Sequence, residues 1–255
     1  GWFVRMQGGD LKYAIKHIES EMQTYDKRQS SADLNIFTGF SAIHYAIINS
    51  HYDLLHFLLP YEINSLTQQD CELFSKSLNQ KVIIDQFSTV VQFVLLSKNL
   101  VCLQIILDFL QNSPQCHEEF FRLNKNNFQT ACSCLYPEAM LVLNNPIFIH
   151  YELFNLATNP LDLAISYNNP LVVNVLENQL QTANLYKTAK FFLDVRENVN
   201  LLQKAVCSEV SEAFKVKMYQ LVKFCYKLYR NEKMLEATAF LVGLSEEEIF
   251  GEKVQ

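Results

Sequence analysis

Glycine and proline are scarce in this chain, with six of each in 255 residues. Folds built from many tight turns draw on both, so sheet sandwiches and glycine-looped nucleotide folds start at a disadvantage against helices. Basic charge is also in deficit, 21 lysines and arginines against 27 acids, for a net charge of -6. A nucleic-acid surface is normally basic, so the balance argues against such a partner. Long apolar runs are missing too. The longest, residues 100–110, is interrupted by Gln104 and Asp108 and reaches about half the ~20 residues of a membrane-spanning helix. Residues 1–10 lack the charged start and long apolar stretch of a secretory signal. Gly8 and Gly9 are the only adjacent glycines and open no phosphate-binding loop, and neither His-Glu-x-x-His nor Cys-x-x-Cys occurs.

Seven cysteines, Cys71, Cys102, Cys116, Cys132, Cys134, Cys207 and Cys225, form an odd and scattered set. A disulfide framework is denser and usually even in count, so free thiols in a reducing cytoplasm are expected. Apolar residues make up 49% of the chain, the share of a folded protein with room for a sizeable core.

Internal repetition organises what is present. Gly39, Ile43, His44 and Ala46 are followed by Ser50 and His51, and then by the pairs Leu54-Leu55 and Leu58-Leu59. The apolar positions recur 48 residues later, from Thr89 through Val94 to Leu103, Ile106 and Leu107. A further copy starts at Asn159 with Pro160, Leu161 and Ala164 and continues through Asn168 and Asn169 to Val173 and Leu176. The weakest begins at Gln129, Thr130 and Ala131 and runs to Leu143. Starts at 41, 89, 129 and 159 give uneven spacing, with polar insertions expected as loops at 62–80 and 112–120. Residues 9–18 read as the second helix of a partial first repeat, and 23–33 as a polar loop.

This pattern resembles the ankyrin repeat, whose signature runs Gly-x-Thr-Pro-Leu-His-x-Ala, then Gly-His, then a leucine pair. Ser41 and Ala42 stand where the family has Thr-Pro, and Asp162 where it has His. The resemblance implies an all-α solenoid of degenerate repeats over residues 1–180. Residues 181–255 carry no signature but show helical periodicity, and are expected to form a helical cap or extension. The small residues Ala46 and Ala164 let packed helices approach closely, and His44 is read as structural.

Other motifs give weaker signals. Cys116, His117, Glu118, Cys132 and Cys134 match no usual zinc spacing, so no metal and no cofactor are expected. Chance pairings among cysteines and histidines come without flanking catalytic motifs, so no catalytic residue is assigned. Between 215 and 233, Lys215, Lys217, Lys223, Lys227, Arg230 and Lys233 interleave with aromatics, and a solvated basic face is preferred over a membrane-binding helix.

The resemblance implies a protein-binding scaffold that acts through loop tips and the concave face of the inner helices. Its contact positions fall on Phe37, Thr38, Phe40, Ile48, Asn49 and Tyr61, and in the later copy on Asn155, Leu156, Thr158, Ser166, Tyr167 and Gln179. Several are aromatic or aliphatic, the types that dominate interface hot spots. The competing reading, that inserted loops fold back over them, stays open. The expected partner is another protein rather than nucleic acid, a small molecule or a membrane core, and the expected location is cytoplasmic. Two alternatives stand beside the scaffold: an effector or enzyme fragment whose repeats recruit a substrate protein, and a structural subunit of a large assembly.

Overall fold

The computed structural model describes residues 2–21, 39–75, 80–123, 126–134 and 136–153, with scattered positions from 162 to 220. They belong to two compact units, Gly1–Cys134 and Leu135–Gln255. The expected boundary at 180 lies outside the described residues, as do the polar stretch 23–33 and most of 181–255.

In the first unit the elements run α1 (Trp2–Gln7), α2 (Leu11–Glu21), α3 (Ala42–Ile48), α4 (Tyr52–Glu62), β1 (Cys71–Ser75), β2 (Gln80–Ile84), α5 (Val90–Ser97), α6 (Leu100–Asn112), α7 (His117–Leu123) and α8 (Asn127–Ser133). Three helical hairpins, α1–α2, α3–α4 and α5–α6, stack side by side. Their first helices form one row, α1 on α3 on α5 on α8, and their second helices another, α2 on α4 on α6. The described residues are therefore mostly helical, as expected, but not all-α. The stretch after Glu62 is no plain loop: it holds an antiparallel β-hairpin in the register Cys71↔Ile84, Leu73↔Val82 and Ser75↔Gln80. Alternation in Cys71–Ser75 and the β-branched run Val82, Ile83 and Ile84 suit a pleated, half-buried surface, which outweighs the polar composition around them. The expected loop at 112–120 is likewise helical, a 3-10 turn at Pro114–Cys116 leading into α7.

The second and third hairpins are copies shifted by 48 residues. On α4, Leu54, Leu55, Leu58, Leu59 and Glu62 are buried, and on α6 so are Cys102, Leu103, Ile106, Leu107 and Leu110. On α3 the buried run from Ala42 to Ile47 corresponds to that from Val90 to Leu95 on α5. Such faces bury nothing within one hairpin, so neighbours must stack to form a core. Each fully buried Leu or Ile contributes about 1.5–3 kcal/mol on leaving water.

The turn inside each hairpin is also shared. Ser50 (φ 56°) and Lys98 (φ 52°) are left-handed. Each donates its N–H to the carbonyl three residues back, Ser50 to Ile47 at 3.2 Å and Lys98 to Leu95 at 3.1 Å. The following N–H reaches five residues back, His51 to Ala46 at 2.9 Å and Asn99 to Val94 at 3.3 Å. This is the Schellman helix ending. The first hairpin repeats it with Gly9 (φ 73°), bonded to Met6, and Asp10, bonded to Arg5. The first hairpin therefore has both of its helices, where residues 9–18 alone signalled only the second. Register differs in one place: α8 takes its N-cap from Asn126, three residues before the expected start at 129, because buried Phe128 and Ala131 face the core.

Rings tie the first row together. Phe3 of α1 lies 6.0 Å from Tyr45 of α3, Tyr45 lies 5.9 Å from Phe40, and Phe40 meets Phe93 of α5 edge-on at 5.4 Å.

In the second unit α9 (Met140–Leu143) and α10 (Pro146–Phe148) bury Val142, Leu143 and Phe148, and α10 runs on into a π-helical turn at Ile149–Leu153. Further along, Asn168 is left-handed (φ 51°) and its N–H bonds Ile165 at 3.1 Å. Asn169 then accepts the Leu171 N–H at 3.2 Å. A left-handed turn residue with its three-back bond thus occurs here as well.

Candidate partner-binding surface

Cap residues set the edge of the first unit where the first helices begin. Before α3, the Ser41 backbone N–H donates to His44 Nδ1 at 3.1 Å, with the Ser41 hydroxyl 3.0 Å from the same nitrogen. Nδ1 must carry the lone pair, so the imidazole is neutral with its proton on Nε2. His44 is fully buried between the rings of Phe40 and Phe93, at 5.2 and 4.9 Å, and Nε2 meets no hydrogen-bond partner. Burial pushes its pKa down to about 3, because an imidazolium there would lose its hydration without gaining a counter-charge. Among the described residues His44 is a core residue, in line with its structural reading.

Before α5, Thr89 and Gln92 take the places of Ser41 and His44. The Thr89 N–H donates to Gln92 Oε1 at 2.8 Å and the Gln92 N–H to Thr89 Oγ1 at 3.1 Å, a capping box. The pair also reaches α8, with the Thr89 hydroxyl donating to Asn127 Oδ1 and Gln92 Nε2 to Thr130 Oγ1 at 3.0 Å. Glu62, buried at the end of α4, accepts the Ile43 N–H at 2.7 Å and places a carboxylate at the positive end of α3. Its counterpart 48 residues on is Leu110.

The hairpins are also joined at the turn side. Asn99 Nδ2 donates to the Ile47 carbonyl at 3.0 Å and to Ser50 Oγ at 3.1 Å. One repeat earlier, His51 Nε2 donates to the Gln7 carbonyl at 2.9 Å. A Cβ at Gly9 would come within 2.8 Å of the His51 ring, so this close approach requires glycine as well as the left-handed turn does.

The expected contact residues are not equally placed. Phe40 is a correction: it is 1% exposed, packed on His44, Tyr45 and Phe93. Gly39 (φ 82°) turns the chain immediately before it, and the inserted segment returns alongside, Gln68 N–H bonding the Gly39 carbonyl at 3.1 Å. Ile48, Asn49 and Tyr61 are half-buried. Asn49 already donates to the Tyr45 carbonyl at 3.1 Å, and the Tyr61 ring lies 5.7 Å from Phe57. Ser166 is exposed, its hydroxyl bonded to the Asp162 carbonyl at 2.7 Å. Phe37, Thr38, Asn155, Leu156, Thr158, Tyr167 and Gln179 lie outside the described residues.

Sequence reasoning missed the β-hairpin as a surface. Leu73 and Ile84 on one face are buried, while on the other Glu72 pairs across from Ile83, which is 68% exposed. Lys81 bridges to Glu72 at 2.5 Å. Asp70 immediately precedes β1 and Asp85 immediately follows β2, with Phe87, 54% exposed, two residues further on. The signal that carried this surface was the alternation of Cys71, Glu72 and Leu73 together with the β-branched run Val82, Ile83 and Ile84.

Thiol chemistry is muted at Cys71 and Cys102, both free thiols. Burial pushes the Cys102 thiol up to about 12; burial, with Asp70 beside it, raises Cys71 to about 11. Neither is ionised near neutrality, so neither is an activated nucleophile. No group of three or more His, Cys, Asp or Glu side chains among the described residues is arranged to hold a metal ion. No helix among them is long and apolar enough to cross a membrane.

Comparison with protein-family models, with curated proteins and with solved structures finds no match to this chain.

Proposed function

We propose that this chain is a divergent ankyrin-type repeat scaffold that binds another protein and carries no chemistry of its own. The observation that supports this most directly is the 48-residue copying of helix, Schellman turn and buried face between α3–α4 and α5–α6. A stack of such hairpins presents its inter-hairpin segments and the exposed flank of its first helices as one extended surface. Among the described residues of the contact set, Ile48, Asn49 and Tyr61 in the first unit and Ser166 in the second are accessible, and Phe40 belongs to the core of the first unit. Function on such a scaffold resides in the side chains displayed rather than in the fold.

The test is cross-linking capture from cytosol with wild type and an Ile48→Asp/Tyr61→Ala variant whose fold is verified by circular dichroism. Loss of a captured protein from the folded variant supports the reading and locates its surface. Equal capture moves the contact away from α3 and α4. Failure to capture any protein across several extracts counts against a scaffold and favours an enzyme or a buried assembly subunit.

A further inference from the structure

We propose that the outward face of the β-hairpin between α4 and α5 docks an extended, basic segment of a partner protein. This rests on the protein-binding reading above and adds the chemistry of the partner. On that face Ile83 stands 68% exposed directly across from Glu72; Phe87, in the turn that follows β2, is 54% exposed. Large apolar side chains this open on a two-stranded sheet present unburied area to a partner. The sheet has only two strands, so each keeps one edge without a strand partner among the described residues. A two-residue period of outward side chains beside an open edge suits an extended segment better than a helix.

Charge selects the sign of that segment. Asp70 and Asp85 flank the apolar pair at the base of the hairpin, and both are exposed. Asp70 accepts the Gln86 N–H at 2.6 Å, but no lysine or arginine among the described residues pairs with either carboxylate. Among the described residues the cation of that face is Lys81, and it is already bridged to Glu72 at 2.5 Å. Two uncompensated carboxylates beside exposed Ile83 and Phe87 match a strand that alternates lysine or arginine with aliphatic residues. The whole-chain charge of -6 acts in the same direction at long range.

The probe is a pair of synthetic peptides, acetyl-(Lys-Val)4-amide and acetyl-(Glu-Val)4-amide, titrated by fluorescence anisotropy against the full chain. Two variants accompany it: Asp70→Asn/Asp85→Asn removes the charge, and Ile83→Thr/Phe87→Asn removes the apolar contact. Asn at 87 suits the left-handed backbone there (φ 63°), so that substitution does not unfold the turn. The expected result is saturable binding of the basic peptide to wild type, weakened about tenfold or more by each variant and by added salt, with no binding of the acidic peptide. The proposal is overturned if the basic peptide does not bind, if the acidic one binds equally, or if either variant, shown folded by its melting curve, leaves affinity unchanged. A partner lost by the Ile48→Asp/Tyr61→Ala variant but retained by Asp70→Asn/Asp85→Asn removes this proposal and leaves the scaffold reading standing.

Discussion

Acidification reports directly on the burial of His44. Its imidazole accepts the Ser41 N–H and is enclosed by Phe40 and Phe93, with a folded-state pKa pushed down to about 3 against about 6.5 in the unfolded chain. Between those values the unfolded chain takes up a proton that the folded chain refuses. Stability is therefore intact above about pH 6.5, falls as pH drops, and stops falling on this account near pH 3. From pH 7 to pH 5 the loss is about 2 kcal/mol, and by pH 4 about 3 kcal/mol, close to the limiting slope of ~1.4 kcal/mol per pH unit. The assay is urea denaturation of the full chain at pH 7, 6, 5 and 4, in parallel with His44→Asn. The Asn Oδ1 keeps an acceptor for the Ser41 N–H but has no proton to gain, and every other titrating group is common to both proteins. His44→Asn starts less stable, because a smaller side chain leaves space between two rings, but the difference between the proteins should narrow by about 2 kcal/mol on going to pH 5. A difference that stays constant from pH 7 to pH 4 would refute the enclosed, neutral imidazole.

Further outcomes follow from the turn side and the core. Asn99→Ala removes a donor to Ile47 and Ser50 and the cap of Cys102, and should cost about 1–2 kcal/mol in denaturant midpoint experiments; no measurable change would deny that Asn99 joins the hairpins. Lys98→Gly relieves a left-handed non-glycine residue (φ 52°) and should stabilise by up to about 1 kcal/mol, read as a rise in melting temperature. Gly39→Ala should have the opposite sign, a loss of more than about 1 kcal/mol, because φ is 82° and a Cβ would lie 2.6 Å from that of Gln68; an unchanged melting temperature would contradict that turn. Cys102, buried with its thiol raised to about 12, should react with a thiol reagent only as fast as the chain opens, and labelling at the rate of a free thiol would contradict its place in α6.

The sequence by itself determined the elements whose cause is local. Spacing of Leu54, Leu55, Leu58 and Leu59, and of Leu103, Ile106 and Leu107, marked two helices, and the 48-residue shift already marked them as copies. Ser50-His51 and Asn168-Asn169 stood only as matched positions of the repeat pattern; the structure shows that the first residue of each pair is left-handed. Contacts made by remote chain segments were not legible in this way. Phe40 reads as a displayed aromatic until Phe93, more than fifty residues on, closes over it and Gln68 returns to Gly39. Glu62 reads as the start of a polar loop until it is seen to close α4 and accept the Ile43 N–H of α3. The inserted hairpin hid because a strand depends on cross-strand pairing and on what lies beneath it, neither of which local composition encodes. The repeat unit was thus set by local chemistry, whereas tertiary packing decided which of its side chains remain available to a partner.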